Sequence, residues 1–262
     1  MFSINLNNKV AVVTGVTSGI GAGVANVLAL AGCHVAGCGL NPGDDDSAIA
    51  FLKSVGSAGQ RGYYQSVDVT KPDEIAVFIK KAGEFFGQID IVISNAGANV
   101  FKGAEKCTDE EWLQNINLNL ASHWHLAKFC KPWLEKSEHG VFKVMTSNHA
   151  YSSIPGCFPY NVAKTALTGL VRALAIEWGP SIRVVGIAPG FIETPGNDKW
   201  FSSFPDAEAE RQRTMSLHPA GKLGTTSEVG AWCAFLASDF AAFATGATYL
   251  IDGGRSALLQ DA

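Results

Sequence analysis

Seven short runs rich in Val, Ile and Ala, at 10–13, 34–38, 62–67, 89–94, 141–146, 182–188 and 248–251, alternate along the chain with longer segments of helical period. Runs such as VAVV and IRVVGIA carry at most one polar residue. A strand wetted on one face alternates apolar with polar side chains, so a nearly unbroken apolar strand must be covered on both faces. A parallel sheet with helices above and below it meets that demand, and the intervening helical segments supply the crossovers. The sequence therefore predicts a doubly wound α/β fold around a parallel sheet of about seven strands.

No Pro/Ser-rich linker and no internal period interrupts this alternation over 262 residues, so a single domain spanning 1–262 is expected. Residues 191–220, FIETPGNDKWFSSFPDAEAERQRTMSLHPA, are too long and irregular for an ordinary connection and read as a lid insertion over a substrate. A formal net charge of -4 without any basic run argues against nucleic-acid binding. No apolar stretch reaches the roughly 20 residues of a membrane span, and MFSINLNNKV lacks the basic and apolar regions of a cleaved signal. The expectation is a soluble cytoplasmic protein whose partners are small molecules or copies of itself. The six cysteines form no CxxC pair and sit mostly in apolar runs, as reduced small hydrophobes. His123 and His125 are spaced for opposite helix faces, and no metal site is assigned.

Directly after the first run comes TGVTSGIG (14–21), a glycine-rich turn opening a helix near Ser18 or Gly19. Gly15, Gly19 and Gly21 let the backbone turn sharply and approach a pyrophosphate, whose charge the helix N-terminus favours. In the second half of the chain, YNVAK (160–164) places the phenol of Tyr160 and the ammonium of Lys164 four residues apart, on one helix face. A free tyrosine titrates near pKa ~10 and a neighbouring cation lowers it. Tyr160 is thus expected to have a lowered pKa and to exchange a proton with a substrate hydroxyl.

In order and spacing, through to DGG at 252–254, these motifs resemble those of the short-chain dehydrogenase/reductase family, whose glycine turn reads TGxxxGIG. The resemblance implies a Rossmann-like fold and an NAD(P)(H)-dependent oxidoreductase that moves a hydride between nicotinamide and a secondary alcohol or ketone. It implies that Gly15, Thr17, Ser18, Gly19, Ile20 and Gly21 cradle the cofactor and that Asp68 with Val69 contacts adenine. By the same resemblance Asn95, Ala96 and Gly97 line the adenosine side, while Pro189, Gly190, Ile192 and Thr194 approach nicotinamide, Ile192 through its backbone. Asn95 also reads as a turn-capping residue, and both roles can hold.

Ser147 stands thirteen residues before Tyr160, the family's spacing for its catalytic serine. The implied roles are Ser147 orienting the substrate oxygen, Tyr160 as acid or base, and Lys164 tuning Tyr160 while holding the nicotinamide ribose. Thr146 is the adjacent alternative to Ser147, directed to the opposite face if the strand persists. Among Asn115, Asn117 and Asn119, the family's pattern selects Asn119 as the residue supporting a water in the proton relay.

The positions that discriminate the cofactor fall on Gly39 and Leu40, which fit neither the acidic residue of an NAD site nor the arginine of an NADP site. The following NPGDDD (41–46) would repel a 2′-phosphate, favouring NAD(H) over NADP(H), although the same aspartates also suit a solvated turn and helix start. Asn148, His149 and Tyr151, with Phe191, Trp200 and Phe201 on the lid, are candidate substrate contacts, and the polar pair beside Ser147 points to a hydroxylated ligand such as a sugar or polyol. The apolar residues of 160–178, among them Val162, Ala166, Leu170, Val171 and Ile176, cover more than one stripe, so a homo-oligomer, a tetramer formed through the helices near 109–134 and 160–178, is expected. A catalytically silent dinucleotide sensor and a nicotinamide-dependent epimerase or dehydratase stay open as other readings.

Overall fold

The computed structural model describes residues 4–258. All seven runs form strands: β1 (Val10–Thr14), β2 (His34–Gly39), β3 (Gly62–Ser66), β4 (Ile91–Ser94), β5 (Gly140–Met145), β6 (Ile182–Pro189) and β7 (Thr248–Ile251). They make one parallel sheet in the order β3-β2-β1-β4-β5-β6-β7. Between them run α1 (Gly19–Leu30), α2 (Asp46–Ser57), α3 (Pro72–Phe86), α4 (Asp109–Ile116), α5 (Ser122–Leu134), α6 (Tyr160–Trp178), α7 (Pro195–Phe201), α8 (Ala207–Ser216) and α9 (Thr226–Ala237).

The central strands are largely apolar because each serves two cores, whereas the edge strands β3 and β7 are only partly buried. Successive side chains of a strand point to opposite faces. Ala11, Val13, Ile91, Ile93, Val185 and Ile187 accordingly join one cluster with Val24 and Leu28 of α1, Phe51 of α2 and Val229 of α9. Their neighbours Val12, Val92, Phe142, Val144 and Val184 join the other, with Phe78 of α3, Leu126 of α5 and Leu167 of α6. Truncating a fully buried member such as Leu167 to alanine would cost about 2–5 kcal/mol. Lys143 of β5 is the exception to the apolar run. It is fully buried, its Nζ has no hydrogen-bond partner among the described residues, and burial lowers its pKa to about 7.

Helix boundaries follow local chemistry. Thr108 with Glu111 and Thr225 with Glu228 form reciprocal capping boxes at α4 and α9. Asp45 accepts from the Ser47 amide and Asp46 lies in the first turn of α2, so the aspartate run serves as a helix start. α3 opens with Pro72 and stops at Gly87, whose φ of 84° is left-handed. α4 and α5 are joined by a π-helical turn over Asn117–Ala121, which shifts the inward face of this long helix between its halves. Segment 191–220, expected to be irregular, instead contains α7 and α8, capped by Thr194 and Asp206. The expectation failed because the polar faces of these short helices leave almost no apolar period to detect.

The chain leaves β1 toward β2 and β3, then returns to place β4 on the opposite side of β1. In a doubly wound sheet this reversal opens a crevice above the carboxyl ends of the strands, where ligands bind.

Candidate active site

A cleft of about 1180 Å³ occupies that crevice. It exceeds the roughly 300–1,000 Å³ of ordinary small-ligand pockets, as a site for a long cofactor together with a substrate would.

At one end the wall is backbone. Thr14 closes β1, and its hydroxyl accepts from the amides of Asn95 and Ala96 at 2.9 Å each, while the Asn95 side chain donates to the Thr14 carbonyl at 2.8 Å. These bonds tie β1 to the segment after β4 at the switch point. Asn95 therefore acts as a structural clamp and also lines the cleft. Gly15 and Gly19 have φ of +76° and +56°, conformations that side-chain-bearing residues rarely adopt. At Gly21 a Cβ would stand 2.1 Å from the Gly15 carbonyl oxygen. The helix α1 begins here without a side-chain cap from Ser18 and without an acidic residue in its first turn. Its first amides and its dipole are left to an anion in the cleft, the arrangement a pyrophosphate requires. Gly39, Leu40, Asn41, Asp68, Val69 and Thr70 complete this end. Asp68 accepts from the Thr70 hydroxyl and amide, which holds its carboxyl below the usual range.

At the other end the wall is side chains. β5 ends at Met145, and the next two residues divide their work. Thr146 donates its hydroxyl to the Ile187 carbonyl of β6 at 3.2 Å, whereas Ser147 caps a short 3₁₀ turn, accepting from the His149 amide at 3.1 Å. Tyr160 opens α6 and Lys164 lies one turn later, its Nζ 5.5 Å from the Tyr160 ring centroid and 3.0 Å from the Met145 carbonyl that accepts its hydrogen bond. Both side chains are buried, and burial governs their titration. It pushes the Tyr160 phenol up to about 12, against the hydrogen bond from Ser147, and brings the Lys164 ammonium down to about 8. The expected lowering of Tyr160 is thus corrected: desolvation of the phenolate outweighs the hydrogen bond of Ser147, and the same burial disfavours the charge of Lys164.

Gly15, Thr17, Ser18, Gly19, Ile20, Gly21, Asp68, Val69, Asn95, Ala96, Gly97, Ser147, His149, Tyr160, Lys164, Pro189, Gly190, Ile192 and Thr194 all line this one cleft. Thr194 does so while capping α7, and Ile192 offers a carbonyl that already accepts from Asn197 at 2.7 Å. Asn119 does not line the cleft. It is fully buried one layer behind, where its amide accepts from Ala98 N, donates to Ala98 O and meets Asn115, which in turn donates to the Pro159 carbonyl. A Cβ on Gly97 would stand 2.7 Å from the Asn119 Oδ1, so this clamp sets the wall beside Lys164. Asn117 faces outward, as helical geometry requires.

Two candidate substrate contacts fall elsewhere. Tyr151 is exposed and donates to the Thr248 carbonyl, and Phe201 is buried beneath Phe191 and Trp200, which do line the cleft. Sequence reasoning missed Phe101, Ile154, Asn197, Arg213, Thr214 and Arg255. Phe101 sets its ring edgewise against His149 and Tyr160, at 5.7 and 5.5 Å. Position shortly after NAG and directly after DGG was the available signal for Phe101 and Arg255.

A Rossmann-type sheet with a cleft at its switch point, a glycine cradle at one end and a buried Tyr–Lys pair at the other defines a pyridine-nucleotide oxidoreductase. Residues 15–256 match the family model described as Enoyl-(Acyl carrier protein) reductase. The human Dehydrogenase/reductase SDR family member 4 is 34% identical over 257 residues, which cover 97% of this chain and 90% of that protein. D-beta-hydroxybutyrate dehydrogenase of Cupriavidus necator is 31% identical over 95% of this chain and 98% of its own. The ligand-free aldohexose dehydrogenase of Thermoplasma acidophilum superposes with a TM-score of 0.88 at 27% identity, covering 98% of this chain and 97% of its own. The chain belongs to the short-chain dehydrogenase/reductase family, and it is an NAD(P)-dependent oxidoreductase. Among the described residues no helix is long and apolar enough to cross a membrane.

Proposed function

We propose that this enzyme interconverts a secondary alcohol and a ketone with NAD(H) as the preferred cofactor, on a hydroxylated substrate of sugar or polyol type. The observation that carries the reading is the meeting of Ser147, Tyr160 and Lys164 in the cleft that the glycine turn opens. The residues present fit a dinucleotide: the uncapped start of α1 and the Gly15–Gly21 cradle suit the pyrophosphate, and Asp68 with Val69 suits the adenine. When bound, the nicotinamide supplies or accepts the hydride.

The chain's own residues then handle the oxygen. Ser147 holds the substrate oxygen by a hydrogen bond. Tyr160, protonated at neutral pH because its phenolate is desolvated, gives its proton to that oxygen in reduction; in oxidation it takes the substrate proton as its own passes to solvent through the relay water. Lys164, fixed by the Met145 carbonyl, places a positive charge beside the phenolate formed in the reductive direction and would hold the nicotinamide ribose. Asn119 acts as a positioning residue through Ala98 and Asn115, beside the relay water expected near Lys164. Neutral His149, its pKa lowered by burial, offers a hydrogen bond to a further substrate hydroxyl. Residues 1–262 act as one unit in which 191–220, with Phe191 and Trp200 on its inner side, covers the substrate.

The preference for NAD(H) rests on the adenosine end, where the lining around Gly39, Leu40 and Asn41 carries no arginine or lysine to hold a 2′-phosphate. Asp45 is engaged as a cap, so the aspartate run acts there through its field. A homotetramer in the cytoplasm is the assembly we favour. Leu113, Trp124, Val162 and Ile176 are exposed on the outer faces of α4, α5 and α6, while Trp178 is covered within the chain by Phe142. Sedimentation giving a single species near 27.7 kDa would reject assembly. The reaction itself is read by absorbance of the reduced nicotinamide with secondary alcohols and ketones. Failure to turn over any of them with either cofactor would reject the proposal.

A further inference from the structure

Charge is distributed unevenly along the cleft. Among the described residues its lining holds one carboxylate, Asp68, beside Gly39 and Leu40 at the end read as the adenosine site. The lining also carries Lys164 and His149, both beside Tyr160, and the guanidinium groups of Arg213 and Arg255. Arg213 is committed, since its Nε and Nη2 donate to the two Glu210 oxygens at 2.8 and 2.6 Å. Arg255 is half-buried, and among the described residues its guanidinium has no hydrogen-bond acceptor. The nearest acid, Asp252, spends its oxygens on the amides of Gly254 and Ser256, at 3.0 and 2.8 Å. Those bonds shape the turn after β7 that aims Arg255 at the cleft, and they leave Asp252 acting on Arg255 only at a distance. Burial and the repulsion of Arg213 outweigh that attraction, so the Arg255 charge is held at a cost. The turn that carries Arg255 packs on Gly190, where a Cβ would stand 2.7 Å from the Asp252 Cα, which sets Arg255 at the part of the cleft that Pro189 and Gly190 line.

We infer that Arg255 receives a carboxylate of the substrate, so that the polyol-type compound oxidised is a polyhydroxy acid and the product its oxo acid. This rests on the reading of Ser147, Tyr160 and Lys164 as the reaction centre. A guanidinium fork matches a carboxylate with two parallel hydrogen bonds, and the anion supplies the partner that Arg255 lacks. A phosphate, carrying nearly two charges, would ask for a second free cation, and Arg213 is held by Glu210. The carboxylate takes no part in the chemistry. With the dinucleotide bound, the carbinol C–H would leave as hydride to NAD+, while the hydroxyl proton passes to Tyr160 as Tyr160 releases its own proton to solvent through the relay water, so that one proton is set free per turnover.

The test compares kcat/KM for hydroxy acids, the neutral amides of the same acids, phosphorylated polyols and unsubstituted polyols, in the wild type and in Arg255→Gln and Arg255→Lys. The expected result is a preference of about 100-fold for acid over amide in the wild type. Arg255→Gln should abolish that preference mainly through KM, leaving the amides within about threefold and dinucleotide affinity unchanged, with Arg255→Lys in between. Equal use of acid and amide by the wild type, or equal slowing of both by Arg255→Gln, overturns the inference and leaves the reaction centre standing. Phosphorylated polyols as the best substrates overturn the carboxylate assignment. No turnover of any compound by protein that still binds dinucleotide overturns the reaction centre, and this inference with it.

Discussion

At the cofactor end the surface offered to a ligand is mostly main chain, held by Gly15, Gly19, Gly21 and the start of α1, whereas at the substrate end it is side chains from Phe101, His149, Trp200, Arg213 and Arg255. A backbone cradle tolerates no added atom but is indifferent to side-chain chemistry. A side-chain wall admits many shapes, and its specificity lies in which functional groups it carries. The first end should break on volume and the second on chemistry.

The largest effect is expected on the chemical side. Removing the Tyr160 hydroxyl in Tyr160→Phe should lower kcat by about 10³-fold while dinucleotide affinity stays within a few-fold, because the group acts on the substrate oxygen. Stopped-flow rates with a titration of the cofactor read both, and near-normal kcat would remove Tyr160 from the chemistry.

Volume is tested at Gly21. Its added methyl in Gly21→Ala meets the Gly15 carbonyl and the Asn95 amide, at 2.1 and 2.6 Å, and these atoms belong to the clamp between β1 and β4. Cofactor binding should weaken by about 10–100-fold with a fall in Tm, the cost of overpacking a fixed site. Gly56 of α2 has nothing within 4 Å of its Cβ position, so Gly56→Ala should leave binding unchanged and stabilise by about 0.5–1 kcal/mol. Equal consequences at both glycines would erase the distinction between the two ends.

The pH profile sharpens the comparison next. Tyr160 stays protonated below about 12, so in reduction the group that titrates first is Lys164, which is cationic below about 8 and neutral above it. Reduction should therefore be flat below pH 8 and fall about tenfold per unit above it, with cofactor affinity much less affected. A reductive rate that climbs through pH 9 would contradict a requirement for the ammonium.

The smallest effect is expected at the rim. Leu40→Arg supplies a cation beside Gly39, and should narrow the preference for NADH over NADPH by about fivefold without touching kcat. A wild-type preference for NADPH would place the phosphate contact on other residues.

The strands and the glycine turn were legible because their causes are local. Val12 and Val13 announce burial on two faces by themselves, and Gly15, Gly19 and Gly21 declare a sharp turn by lacking a side chain. The YxxxK pair was legible for a similar reason, since four residues on a helix bring two side chains together without help from the rest of the chain. Lys143 sits in an apolar run and gave no sign of being fully buried, since only the covering helices make it so.

What the linear pattern determined was which segments would be strands, where the backbone would fold tightly and which two groups of α6 would share a face. The tertiary structure alone decided that Asn119 would stand behind the wall, because its side-chain amide is taken up by the Ala98 backbone and by Asn115. It decided that Tyr160 would titrate upward, because desolvation depends on everything packed around the ring. It also decided that Arg255, more than ninety residues beyond Tyr160, would face the same cleft without an acceptor of its own, because the parallel order of β5, β6 and β7 brings their carboxyl ends to one edge.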